Sequence, residues 1–151
     1  MLGMGVVGSG VARALSQKSD SLASQVGANV CLKSVLVRDK SKQRSFEIPQ
    51  NLFSDNFDEI LERTDIDIVV EVMGGEHPAL EFILAALESG KHVVTANKEV
   101  MAKHGPDIFA AARRKDVRVL FEASVAGGTP VVSPLMRDLV ANEVVSIKAI
   151  I

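Results

Sequence analysis

An α/β domain on a doubly wound, mostly parallel sheet is what this 151-residue sequence predicts. Three observations lead there. Short apolar runs alternate with stretches of helical periodicity, the order that puts helices on both faces of a parallel sheet. A glycine loop, Gly3-Met4-Gly5-Val6-Val7-Gly8, opens the first helical stretch. Residues 67–73 (DIVVEVM) are β-branched and almost continuously apolar, as a central parallel strand requires.

The elements follow in order. After the glycine loop, residues 7–17 place Val7, Val11, Ala14 and Leu15 at helical spacing. Residues 29–37 (NVCLKSVLV) read as a strand, and the polar residues 38–55, with Pro49 among them, as a loop. Asp55 or Asn56 is placed to cap a short helix running to Arg63, with Phe57, Ile60 and Leu61 as its apolar face. The strand 67–73 is broken by Gly74-Gly75. Pro78 suits the first turn of a helix with Leu80, Ile83, Leu84 and Leu87 inward and Gly90 at its end. A strand over 92–95 follows. A helical pattern then runs from about residue 98 to 115, interrupted at Gly105-Pro106. Residues 117–121 form a strand, 131–141 a helix after Pro130, and 144–151 a last apolar strand.

The totals restrict the function. Lys and Arg number 17 against 19 Asp and Glu, so there is no polyelectrolyte signal, and neither nucleic acid nor an anionic membrane is the expected partner. No run approaches the ~18 apolar residues of a membrane span. No basic-then-apolar leader is visible, and a cytoplasmic location is expected. The lone Cys31, in an apolar run, reads as a buried thiol of a reducing compartment. Both ends look cut. Only Met1-Leu2 precede the glycine loop, and the chain stops inside the apolar run SIKAII. The first strand is therefore expected to be largely missing, leaving an unpaired edge, weak cofactor binding and poor solubility.

The glycine loop matches G-x-G-x-x-G, the phosphate-binding turn of a Rossmann-like fold. Gly3 permits the tight turn, Gly5 lets a pyrophosphate approach the backbone, and Gly8 allows close helix–strand contact. The helix amino end favours the phosphate charge. An NAD-preferring fold carries an acidic residue at the tip of the second strand. Here Arg38 stands first, with Lys40 and Lys42 close by, and a guanidinium can grip a ribose 2′-phosphate in a bidentate way. NADP(H) is the expected cofactor, with Asp39 keeping NAD(H) open. Gly74-Gly75 lets backbone lie against the cofactor or makes a plain turn into a helix. Lys98 is odd: a cation at the end of a strand and the start of a helix, where the dipole disfavours positive charge.

The segments GMGVVGSGVARAL, VVEVMGG, LESGKHVVTANKEVMAKHG and FEASVAGGTPVVSPL stand in this order over nearly the whole chain. Together they closely resemble homoserine dehydrogenases. The resemblance implies an NAD(P)-dependent enzyme interconverting L-aspartate 4-semialdehyde and L-homoserine, on the route to threonine, methionine and isoleucine. It implies a small-molecule substrate and a homo-oligomeric whole protein. Residues 3–141 then form the cofactor domain, and 142–151 begin the connection to a substrate and dimerisation domain absent here. The implied catalytic residue is Lys98, whose ammonium stabilises negative charge developing on the reacting oxygen. The cofactor-binding residues are Gly3, Gly5, Val6, Val7, Gly8, Arg38, Gly74, Gly75, Thr95, Asn97 and Lys98. A structural sodium ion is implied at the Glu122 side chain and the carbonyls of Val125, Gly127 and Thr129, oxygen ligands suited to a hard cation.

Other features carry less. His77, His92 and His104 lack zinc-ligand spacing, and there is no second cysteine to complete such a site. Ser124 lies in no nucleophile elbow. Arg113-Arg114-Lys115 suits a helix carboxyl end. Two other readings stay open. Sugar-oxidoreductase families share the GKHV strand but continue into E-K-P, where this chain has T-A-N-K-E. The chain could also bind nucleotide without turning it over.

Overall fold

The computed structural model describes residues 1–146 and Lys148. Helices α1 (Val6–Gln17) and α2 (Ser19–Val26) lead to strands β1 (Val35–Leu36) and β2 (Phe53–Ser54) and helix α3 (Phe57–Leu61). Then β3 (Ile68–Glu71), α4 (Ala79–Glu88), β4 (His92–Thr95), α5 (Lys98–Arg114) and β5 (Val119–Leu120) follow. β1 pairs with β2, and β3–β4–β5 pair in turn, all parallel. Leu2 joins the two groups, bridging in parallel to Leu36 on one side and Glu71 on the other. The sheet thus runs β2–β1–Leu2–β3–β4–β5.

One residue suffices at the centre because its backbone is fully used. Leu2 N–H donates to the Val70 carbonyl at 2.7 Å, and Val72 N–H donates to the Leu2 carbonyl at 3.0 Å. On the other side Leu36 N–H reaches the Met1 carbonyl at 2.9 Å, and Gly3 N–H the Leu36 carbonyl at 3.0 Å. The first strand is reduced to this bridge, as two leading residues allow, but the expected unpaired edge at the sheet's centre does not arise.

Each face has its own core. α3, α4 and α5 cover one, around Leu2, Ile60, Val69, Ile83, Leu87, Val93, Val100 and Ile108. α1 covers the other with Met1, Met4, Ala12, Val35 and Val37. Phe57 of α3 stacks on Phe82 of α4 at 4.1 Å between ring centroids.

Several elements differ from their sequence-based bounds. The strand expected over 29–37 shrinks to Val35–Leu36, since the adjacent central strand offers only Met1 to Gly3 to pair with. Cys31 is consequently exposed instead of buried. The expected loop 38–55 ends in β2, a two-residue edge strand too short to show any period. α2 has no counterpart in the sequence reading. Asn56, not Asp55, caps α3 by accepting from Asp58 N–H, and the helix stops at Leu61, short of Arg63. The interruption expected at Gly105-Pro106 is absent. α5 runs unbroken through Pro106 because Val100, Ile108, Ala111 and Ala112 are held in the core on either side of it. Of the helix expected over 131–141, residues 132–138 are helical, with a π-helical turn at Pro134–Asp138. Residues 144–146 are not strand, and the rest of the strand expected there lies, Lys148 excepted, outside the described residues.

Leu2 has no exposed surface. Leu2→Ala is expected to keep the backbone bridge but lose about 2–5 kcal/mol of unfolding free energy, read from the urea midpoint. A loss below that range would mean that the bridge tolerates a void.

Candidate functional site

The carboxyl ends of the strands carry the candidate site. Leu2 leads directly into the glycine turn, and α1 starts one residue after Gly5. The three glycines have separate reasons. Gly3 has φ of +94°, and a Cβ there would press on the Val72 carbonyl oxygen at 3.0 Å. A Cβ on Gly8 would collide with the Gly3 carbonyl, so helix and turn touch as closely as expected. A Cβ on Gly5 would meet nothing within 4 Å. No packing demands a glycine there, and the open space lies at the amino end of α1. That end has no side-chain cap and no acidic residue in its first turn. Its orphan N–H groups are unclaimed by side chains, the arrangement that receives a phosphate. Val6 and Val7 in that first turn are exposed.

A cavity of about 590 Å³ opens beside the turn, within the usual range for small-molecule sites. Gly3, Met4, Gly5, Val37, Arg38, Val72, Met73, Phe57 and Phe82 line it, with Lys42 and Arg44 at its charged side. Both acids on its wall are occupied. The Asp39 carboxylate accepts from the Ser41 N–H at 2.8 Å and the Ser41 hydroxyl at 2.6 Å, which hold its pKa below the usual carboxylate range. Asp55 is paired with Lys40 at 2.7 Å, which lowers its pKa likewise. Arg44 lies over the Phe53 ring at 4.7 Å and donates to the carbonyls of Asp39 and Lys42. Arg38 and Lys42 make no ion pair among the described residues. This end of the cavity is therefore net cationic. Arg44 was not singled out from sequence; the basic spacing of D-K-S-K-Q-R carried the signal.

The other end of the site is built at the tips of β3 and β4. Gly74 and Gly75 both take positive φ, +78° and +77°, and a Cβ on either would meet nothing. Asn97 caps α5: its Oδ1 accepts from Val100 N–H at 3.2 Å, while its Nδ2 donates to the Gly75 carbonyl at 2.7 Å. Thr95 accepts from Asn97 N–H at 3.0 Å. Lys98 is the first residue of α5 and is exposed, with no side-chain hydrogen bond or ion pair among the described residues. The structure brings Gly74, Gly75, Thr95, Asn97 and Lys98 together, and Gly3, Gly5 and Arg38 along the cavity. Beside them, Glu76 accepts from Lys103 and from His104 at 2.7 Å. These hydrogen bonds, that from Lys103 foremost, hold its pKa at about 2. His77 pairs with Glu81, and His92 Nδ1 accepts from Arg118 N–H. Among the described residues no cluster of three or more His, Cys, Asp or Glu could hold a metal.

Glu122 serves differently from the expectation. Its Oε1 accepts from Val131 and Val132 N–H at 2.6 and 2.9 Å, and its Oε2 from Ser133 N–H at 2.7 Å. Three of about four acceptor positions are filled by N–H groups whose positive ends point at the same carboxylate. That arrangement does not fit a cation held by the Glu122 side chain with Val125, Gly127 and Thr129. Instead Glu122 pins residues 131–133 back onto the end of β5.

A family model described as homoserine dehydrogenase, NAD binding domain, matches residues 3–122. The homoserine dehydrogenase of Bacillus subtilis is 38% identical over 151 residues, covering all of this chain and 35% of the relative. That of Corynebacterium glutamicum is 42% identical over the same length, with 34% of the relative covered. The chain thus spans about a third of the length of the curated relatives it matches. A crystal structure of a homoserine dehydrogenase from Thiobacillus denitrificans superposes with a TM-score of 0.84 at 39% identity, over 93% of this chain and 32% of that one.

The Glu122 bonds give a pH dependence. Backbone N–H groups, that of Val131 foremost, lower its pKa from 4.5 to about 2. A depressed carboxylate contributes stability above its unfolded pKa and loses it as pH falls through the folded one. The amide proton shifts of Val131, Val132 and Ser133 are expected to stay constant down to about pH 4.5 and to titrate with a midpoint near 2. A midpoint near 4.5 would show the carboxylate to be free in solution.

Proposed function

Because this chain belongs to the homoserine dehydrogenase family through its NAD-binding domain, we propose that it is the nucleotide-binding part of an NAD(P)-dependent homoserine dehydrogenase. The reaction is hydride transfer between L-homoserine and L-aspartate 4-semialdehyde. The observation that carries the reading is the space at Gly5, unneeded by any protein neighbour, against an uncapped helix amino end. The residues present fit a dinucleotide. Gly3, Gly5 and the first turn of α1 (Val6, Val7, Gly8) would hold its pyrophosphate, and Gly74, Gly75 and Asn97 its nicotinamide end, with the buried Thr95 behind them. A bound nicotinamide supplies or accepts the hydride.

NADP(H) is the proposed cofactor. The ordinary ribose-binding acid is replaced by Arg38, the nearby Asp39 is engaged by Ser41, and Lys42 and Arg44 add positive charge to the same wall. Lys98 is the proposed catalytic residue. Its ammonium has no anionic partner among the described residues to neutralise it, and it stands at the strand tips where open α/β sheets receive ligands. There it would stabilise charge developing on the substrate oxygen and hold a proton for it. A small-molecule substrate and a homo-oligomeric whole protein are part of the same proposal. Among the described residues no helix is long and apolar enough to cross a membrane.

Two outcomes test the reading. Titration of the chain is expected to give tighter binding of NADPH than of NADH, with Arg38→Ala weakening NADPH about tenfold or more and NADH little; tighter NADH binding overturns the preference. In the whole protein, Lys98→Ala is expected to lower kcat for semialdehyde reduction by about 10²–10⁴-fold, with nucleotide affinity nearly unchanged. Unchanged turnover removes Lys98 from the chemistry.

A further inference from the structure

Glu71 ends β3 with no exposed surface. An acid inside an apolar parallel strand is costly, because burial strips its hydration. None of the ion pairs among the described residues includes it. Its two oxygens are instead divided between two loops. Oε1 accepts from Met73 N–H at 2.8 Å, and Oε2 from the Thr95 hydroxyl at 2.6 Å, a distance typical of a hydroxyl donating to a carboxylate. The Thr95 oxygen in turn accepts from Asn97 N–H. Asn97 Nδ2 donates to the Gly75 carbonyl. The ring closes through the chain: Glu71, Met73, Gly74, Gly75, Asn97, Thr95 and back to Glu71. An apolar residue at position 71 would fill the same space at less cost but could hold none of these donors.

The ring lies where a long ligand must end. In an open α/β sheet the ligand crosses the carboxyl ends of the strands at the reversal of strand order. The order β1–Leu2–β3–β4 is fixed, and the phosphate-receiving turn follows Leu2. A dinucleotide with its phosphorylated ribose beside Arg38, at the tip of β1, must extend its other half over the tips of β3 and β4. We propose that Glu71 is the positioning residue for the nicotinamide half of the bound nucleotide. It sets Gly74-Gly75 and the turn before Lys98 at a fixed separation through Met73 and Thr95. This rests on the reading that the chain binds a nicotinamide dinucleotide.

Glu71 touches neither ligand nor Lys98 in this account, so the test must separate local positioning from general stability. The probes are NADPH and 2′-phospho-ADP-ribose, which lacks only the nicotinamide ring. Calorimetric titration of the chain with each is expected to show that Glu71→Gln and Thr95→Val weaken NADPH about tenfold. Binding of 2′-phospho-ADP-ribose is expected to change less than about twofold, within the scatter of a remote substitution. Thr95→Ser, which keeps the hydroxyl donor, is expected to restore the ratio of the two affinities. Thr95→Val keeps the side-chain shape and reports on the ring if Glu71→Gln does not fold. Equal weakening of both probes would show a general structural role and overturn the proposal. So would an unchanged NADPH affinity, or failure of Thr95→Ser to restore the ratio. If the unaltered chain binds neither probe, the nucleotide reading itself fails and this inference falls with it.

Discussion

The pairing of Leu2 is the constraint on which the rest of the structure depends. Its N–H and carbonyl are bonded to β3, while its chain neighbours Met1 and Gly3 complete the ladder to β1. Four hydrogen bonds thereby join a two-stranded and a three-stranded group into one sheet. The glycine turn leaves this bridge directly, so the amino end of α1 can only open between β1 and β3. Helix packing on both faces then buries Leu2 completely, which protects the bridge from water.

From that register the two ends of the site acquire opposite physical characters. Toward β1, the wall is cationic because each acid near it is already spent, Asp39 on Ser41 and Asp55 on Lys40. Toward β3 and β4, the wall is a hydrogen-bonded ring around one buried carboxyl group, with Lys98 exposed just beyond it. A ligand with phosphates at one end and an uncharged or singly charged ring at the other would match this gradient. The Asn97 cap serves both the helix and the ring, so placing Lys98 and starting α5 are one structural event.

Much of this was legible from local residues. The β4 bounds, the Asn97-Lys98 helix start and the spacing of Gly3, Gly5 and Gly8 each depend on a few neighbours in the chain, whereas α1 turns Gly8, Ser9 and Ala12 inward and leaves Val7 and Ala14 of the expected apolar spacing exposed. The misses share a cause. β1 was read too long because its length is set by how little central strand lies beside it. β2 was read as loop because two residues hold no period. Pro106 was read as a break because its missing N–H is a local defect, whereas the burial of Val100 and Ile108 that offsets it is not. The hold of Glu122 on residues 131–133 is likewise invisible to any spacing rule, because its donors stand nine to eleven residues away across a loop.

By itself the sequence determined the fold class, the glycine turn and the residue types available at each strand tip. Turn geometry, helical period and capping are properties of adjacent residues, and those residues are written side by side. Only the tertiary structure decided which groups were already taken. It committed Asp55 and Glu122 to partners, left Arg38 and Lys98 without ion pairs among the described residues, and closed the ring around Glu71. A polar side chain's function depends on which donors and acceptors reach it, and those arrive from residues distant in the chain, as Thr95 reaches Glu71 across the β3–β4 pairing.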